Sequence, residues 1–215
     1  PVAVADTAAG TENATLTIGV LANDTDVDGS DDASNFSLDS VSVASGEGSV
    51  SIDANNQLVF NPGSDFDDLD AGDTQDVTVS YTMSDDSGIA SSSTVTVTVT
   101  GTNDGPVAVA DTAAGTENAT LTIDVLANDT DVDGNDDAAN FSLDSVSVGS
   151  GEGSVSIVNN QLVFNPGTDF DSLDVEDSQD VTVSYTMLDD SGISSTSTAT
   201  ITVQGTSDVP VPVTL

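Results

Sequence analysis

Two stretches of this chain have the residue types and spacing to hold a metal ion. Asp24-Thr25-Asp26-Val27-Asp28-Gly29 recurs as Asp129-Thr130-Asp131-Val132-Asp133-Gly134. Carboxylates at alternate positions can curl their oxygens around one cation, and the glycine permits a sharp turn. The run matches positions one, three, five and six of an EF-hand loop. Position 12 is Asn35 rather than Glu, and no helical pattern flanks it. The reading is therefore a calcium loop of another kind, with further acids at Asp31 and Asp32.

Other carboxylates gather at comparable places. Glu12-Asn13 and Glu117-Asn118 stand out because only five of the 38 acids are Glu. A third tract holds Asp65, Asp67, Asp68, Asp70, Asp73 and Asp76, followed by Asp85-Asp86-Ser87-Gly88. Its second copy holds Asp169, Asp171, Asp174, Asp177 and Asp180, then Asp189 and Asp190, with Ser172 in place of Asp68. Any one of these acids could equally be a solvated loop residue.

The residues that are missing narrow the chemistry further. The 215 residues contain no Lys, Arg, His or Cys, and the formal charge is −38. Nothing can pair with a phosphate backbone, which argues against nucleic-acid binding. An anionic bilayer would repel the chain, and no apolar run is long enough to span one, so no direct membrane contact is expected. Nucleophile–base pairs that need His, Cys or Lys are excluded, leaving carboxylates alone for acid–base work. Two carboxylates about 4 Å apart repel by roughly 1 kcal/mol in water and roughly 4 kcal/mol at an effective dielectric near 20. With no basic side chain to offset this, a divalent cation bound by oxygen, Ca²⁺, is the expected counter-charge.

The elements that must position these acids are strands. Residues 1–105 and 106–209 align with a single one-residue gap, and 86 of 104 pairs are identical. A period of this length is a whole domain, not a solenoid repeat. The expected division is 1–105 and 106–209, with 210–215 a tail or the start of another unit. Near-identity suggests recent duplication and a longer array, of which this chain would be an excised piece.

Within the first repeat, alternation predicts strands over 2–5, 15–21, 38–43, 49–52, 57–60, 77–83 and 93–100, with Asn55-Asn56 as a hairpin turn. Seven strands, turn signals at sandwich spacing and no helical segment predict an all-β fold. Threonine suits the solvent-facing positions. The acids fall at strand ends, around Asp24–Asp32, Asp65–Asp76, Asp85-Asp86 and Asn103-Asp104. Six N-x-S/T sequons are an expected by-product of so much Asn, Ser and Thr.

The order of these words resembles a known family. Glu-Asn, then Leu-Ala-Asn-Asp-x-Asp-x-Asp-Gly, then Tyr-Thr-x-x-Asp-Asp-x-Gly, then Val-Thr-Gly-Thr-Asn-Asp-Gly-Pro looks like a bacterial cadherin-like or VCBS-type tandem repeat. Such repeats form the extender regions of large calcium-dependent adhesins of the RTX type. The resemblance covers both repeats and implies two tandem Ig-like or cadherin-like Greek-key β-sandwiches. It also implies calcium at the domain joint. There Glu12 and one or more of Asp67, Asp70 and Asp86 would act from the first repeat. Asn103 and Asp104 would act from the linker, and Asp129 and Asp131 from the second repeat. At the far end, Ser207 stands where the linker has Asn103, so Glu117 and Asp190 would be less completely partnered.

The functional expectation is a non-enzymatic, calcium-rigidified spacer on a bacterial cell surface, projecting a ligand-binding domain. The pair would be a monomeric rod of roughly 80 Å, estimated from strand rise, with neighbouring identical repeats as its partners. The alternatives are a calcium-dependent module recognising a glycan or protein, homophilic adhesion, and a carboxylate-pair enzyme. Few aromatics are available for sugar stacking, and no insertion forms a cleft.

Overall fold

The computed structural model describes residues 1–28 and 31–207, so Gly29 of the first acidic loop and the segment 208–215 lie outside the described residues. The chain separates into two compact units, Pro1–Asn103 and Asp104–Leu215.

The first unit has seven strands in two sheets. They are β1 (Asp6–Thr11), β2 (Leu16–Ile18), β3 (Ser37–Ser42), β4 (Ser49–Ile52), β5 (Leu58–Asn61), β6 (Thr74–Ser84) and β7 (Ala90–Thr100). One sheet runs β1-β7-β6-β3, and the other runs β2-β5-β4. All pairings are antiparallel except β1 with β7, which is parallel. The long β6–β7 hairpin anchors the unit, pairing Thr74 with Thr100 at one end and Ser84 with Ala90 at the other. Its inward residues Val77, Val79, Tyr81, Met83, Val95, Val97 and Val99 are buried. They meet Leu58 and Phe60 from the second sheet, and Phe66 packs edge-on against Phe60 at 6.3 Å. Thr78, Ser80, Thr96 and Thr98 alternate outward.

The second unit repeats this plan. Its strands are β8 (Asp111–Thr116), β9 (Leu121–Ile123), β10 (Ser142–Val148), β11 (Ser154–Val158), β12 (Gln161–Asn165), β13 (Ser178–Leu188) and β14 (Ser194–Gln204). The sheets run β10-β13-β14-β8 and β11-β12-β9. Among the described residues the fold is thus all-β, two sandwich domains of seven strands each.

The first strand lies later than expected. Residues 2–5 form no strand; Val2 makes only an isolated bridge to Thr25. The strand instead uses Asp6-Thr-Ala-Ala-Gly-Thr11, whose small residues carry little β-propensity. Its inward positions Ala8 and Gly10 must be small. A Cβ at Gly10 would lie 2.6 Å from a methyl group of Leu16.

Asn56 is the turn residue predicted between β4 and β5, and it adopts φ 63°. Its side chain also accepts the Leu38 N–H at 2.8 Å and donates to the Phe36 carbonyl at 2.9 Å. It thereby pins the hairpin to the start of β3, where the register slips between Leu38 and Ser40. Asn160 does the same in the second unit, at 2.7 and 2.9 Å.

Candidate metal centres

Each unit has two acidic ends. At the end where β6 turns into β7, one carboxylate oxygen each from Asp26, Asp31 and Asp85 lies within 4.8 Å of the others. The second unit brings Asp131, Asp136 and Asp189 together in the same way. Oxygens on one calcium are at most about 5 Å apart, twice the 2.3–2.6 Å bond, so both clusters have a fitting span. All donors are hard oxygens, which suits calcium rather than a thiophilic metal.

Local turns aim these side chains. Asp26 accepts the Asp28 N–H at 2.9 Å, curling the loop. Asp85 accepts the Ile89 N–H at 2.8 Å through one oxygen, which folds its side chain back over the end of the unit. Asp131 and Asp189 make the matching bonds to Asp133 and Ile193. Asp136 is only 6% exposed, and its Oδ1 is buried without a hydrogen-bond donor, as is Oδ2 of Asp131.

The electrostatic signature is that of an uncompensated anion site. Burial pushes the Asp136 carboxyl up to about 6, helped by the charges of Asp190, Asp131, Asp189 and Asp133. Asp31 is raised as well, by burial and by Asp86, Asp26, Asp85 and Asp28. Asp26 moves the other way. The Asp28 N–H lowers it most, and the Pro1 ammonium, 2.7 Å from its Oδ2, lowers it further.

At the opposite end of the first unit, Glu12 is 1% exposed. Its Oε1 accepts both the N–H and the hydroxyl of Thr102 at 2.7 Å. Its Oε2 is buried with no donor. Asn13 completes the grip, donating to the Thr102 hydroxyl at 2.8 Å. The loop carrying Asp67 and Asp70 is tied to the same end, because Gly72 N–H and the Asp73 carbonyl bond both sides of Gly101. A Cβ at Gly101 would overlap the carbonyl oxygens of Leu69 and Asp70, so only glycine lets these chains approach. Glu117 repeats the arrangement with Thr206 at 2.7 and 2.9 Å, again with a buried, donorless Oε2.

The sequence-derived candidates therefore divide. Asp26 and Asp131 lie in the clusters. Asp28, Asp86, Asp133 and Asp190 lie near enough to raise the clustered carboxyls. Asp133 also accepts the Asp104 N–H at 2.9 Å. Glu12 and Glu117 sit at the other ends of their units, with Asp67 and Asp70 half-buried and Asp171 and Asp174 exposed. Asn103 is half-buried. Asp24 and Asp129 lie outside the clusters, and the Oδ1 of each holds the chain itself. Asp24 accepts Val4 N–H at 2.7 Å and the Tyr81 hydroxyl at 3.2 Å, and Asp129 accepts Val109 N–H at 2.6 Å and Tyr185 at 3.2 Å.

Four cluster members, Asp31, Asp85, Asp136 and Asp189, were not singled out from the sequence as ligands. Their signal was present in the acidic tracts. For Asp85 and Asp189 it was the Asp-Asp-Ser-Gly turn, where the first Asp caps the turn and points inward.

Comparison with known proteins agrees with this fold. The bacterial cadherin-like domain family matches the chain twice, over residues 1–101 and 103–205. Among solved structures, Drosophila N-cadherin EC1-4 superposes with a TM-score of 0.54 at 16% identity, covering 95% of this chain and 50% of that one. Mouse cadherin-23 EC22-24 gives 0.49 at 16% identity, covering 94% and 63%. Human mucin-like protocadherin EC1-2 gives 0.46 at 17% identity, covering 94% and 95%. The chain thus spans about half the length of the first of these. No curated protein matches it.

Proposed function

The chain belongs to the bacterial cadherin-like domain family, and on that premise we propose that it is a calcium-stiffened spacer of an extracellular bacterial adhesin. The coarser statement follows from the family itself: these are repeats of an adhesion-type module, typically extracellular and not enzymatic. No described helix is long and apolar enough to cross a membrane. The finer reading makes the work mechanical. Consecutive repeats hold a binding domain away from the surface that bears them, as part of a larger RTX-type protein.

One observation carries this reading. The buried, donorless carboxylate oxygens at each unit's acidic ends belong to Glu12, Asp31, Asp131, Asp136 and Glu117. Burying an anion without a partner is costly, and a bound cation removes that cost. Asp26, Asp31 and Asp85, and likewise Asp131, Asp136 and Asp189, would supply ligands within single units. Glu12, with Asp67 and Asp70, and Glu117 would supply them at the opposite ends of their units. Glu12 grips Thr102 and Asp133 grips Asp104, so calcium bound near Asn103 and Asp104 would stiffen the connecting stretch. The bound ion would supply charge neutralisation and oxygen cross-linking, not catalysis.

Calcium binding only the folded, aligned state adds about 2.7 kcal/mol per site at 100 times the dissociation constant. Extracellular modules of this kind bind at about 10⁻⁴ to 10⁻³ M. The chain would then be loose at cytoplasmic calcium and stiff outside. Small-angle scattering of the full chain tests this. Calcium should give a longer, better-defined profile than chelator, and identical profiles would overturn the proposal.

A further inference from the structure

Away from the metal clusters, each unit contains a tyrosine hydroxyl with more acceptors than it has protons. Tyr81 Oη lies 2.8 Å from the Val4 carbonyl, 3.2 Å from Asp24 Oδ1, 3.3 Å from Asp6 Oδ2 and 3.4 Å from the Val20 carbonyl. A phenol donates one hydrogen bond. It goes to Val4, the nearest acceptor, shared at most with Asp24. Asp24 is already an acceptor for Val4 N–H at 2.7 Å. Asp6 Oδ2 is left facing an oxygen that has no second proton to give.

The second unit poses the same problem more sharply. Tyr185 donates towards Val109 at 2.8 Å and Asp129 at 3.2 Å. Oδ2 of Asp111 is buried with no hydrogen-bond partner. Asn128 donates to the Val109 and Ala110 carbonyls at 3.5 and 3.4 Å, and its amide also reaches Asp111, leaving Oδ2 unserved. The groups facing Asp111 are Tyr185 on β13 and the carboxylates Asp129 and Asp124 beside β9, with no cation among them. Asp6 faces Tyr81, Asn23 and Asp24 in the same way.

We infer that the carboxyls of Asp6 and Asp111, in their protonated form, latch the segment leading into β1 and β8. The proton belongs to the aspartate and is donated to the tyrosine oxygen. The tyrosine then passes its own hydrogen to Val4 or Val109. The chain Asp–Tyr–carbonyl ties the leading segment to β6 or β13, with every oxygen satisfied. Burial raises both carboxyls, as such a role requires. For a raised acid the favourable contribution is complete below the unfolded value near 3.8 and disappears as pH rises through the folded value. The latch therefore loosens on the alkaline side.

This inference is independent of calcium. It is tested on the full chain both in saturating calcium and in chelator. Carbon-13 NMR of the aspartate carboxyls should show Asp6 and Asp111 titrating at least about one unit, a tenfold change in proton affinity, above ordinary aspartates. Exchange of the Val4 and Val109 amides, corrected for intrinsic base catalysis, should accelerate as pH passes that value. The isosteric Asp6→Asn and Asp111→Asn chains, which keep a donor, should lose this pH dependence and stay protected. Titration of both carboxyls near pH 4, or the same amide pH dependence in the Asn variants, overturns the latch. If the Asn variants do not fold, the wild-type carboxyl titration alone decides.

Discussion

The two units share the sequence of their acidic loop almost letter for letter, yet the loop meets different neighbours. In the first unit Asp26 Oδ2 faces the ammonium of Pro1 at 2.7 Å, and the Asp26 carboxyl is held below its ordinary value. In the second, the corresponding proline is Pro106, whose nitrogen is an imide with neither charge nor hydrogen. There Asp131 Oδ2 has no donor, and Asp136 rises to about 6. Asp31, the counterpart of Asp136, is raised in the first unit as well, so the ammonium quiets only the carboxylate it touches. What both clusters lack is positive charge, not merely hydrogen-bond donors.

Removing a ligand should break this comparison most visibly. Asp136→Asn keeps the shape but deletes a charge from the second cluster. Calcium stabilisation of the second unit, about 2.7 kcal/mol at 100 times the dissociation constant, should largely vanish, while the first unit keeps its own. Calorimetry of the full chain in calcium and in chelator would resolve the two transitions. An unchanged calcium increment in the second would refute the assignment of Asp136 as a ligand.

The same variant should act with opposite sign in chelator. A carboxyl raised to about 6 costs stability when it is forced to ionise at higher pH. Wild-type stability of the second unit should therefore rise as pH falls from 7 through 6. Asp136→Asn should remove that slope and, at pH 7, stabilise the calcium-free unit by on the order of 1 kcal/mol, a figure reduced for solvent screening. A destabilised, pH-insensitive variant would mean that the side chain serves packing instead.

Of comparable size is a backbone difference outside the clusters. Gly72 of the first unit has φ +91°, which glycine adopts freely. Its counterpart in the second unit is Glu176, held at φ 78°. A side chain there is strained by roughly 1 kcal/mol. Glu176→Gly should raise the chelator melting temperature of the second unit, and Gly72→Ala should lower that of the first. Either substitution alone should close the gap that this position opens between the units, and both together should reverse it.

How much of this could be read beforehand depends on whether the signal is local. The β6–β7 hairpin announces itself through Val77-Thr-Val-Ser-Tyr-Thr-Met83 against Thr94 to Thr100. β1 does not, because Ala8 and Gly10 are chosen to make room for Leu16, a contact outside the strand. The placement of acids at strand ends was legible, but not which oxygens converge. Asp85 and Asp86 look alike in sequence. Only the turn that spends one Asp85 oxygen on Ile89 N–H turns that carboxylate inward. Asp24 shows the reverse. Its place at the head of the D-x-D run suggests a ligand, yet Val4 and Tyr81 take up its Oδ1. Spacing along a chain reports where a loop can curl, whereas competing donors decide which carboxylates stay available.

The smallest expected effect is the most direct check on the comparison. In a chain that begins at Pro1, its ammonium competes with calcium for Asp26. Acetylating the terminal nitrogen removes the charge and leaves the proline ring in place, which makes Pro1 resemble Pro106. The effect is modest because one ammonium offsets the charge of only one of the clustered carboxylates. Its direction is nonetheless fixed. Calcium affinity at the first cluster should rise on acetylation, the second should not change, and the Asp26 carboxyl should titrate higher in chelator. Calorimetric titration of the acetylated and free chains, at two salt concentrations, reads all three. A first site that weakens on acetylation would show that the ammonium orders the loop for calcium rather than opposing it.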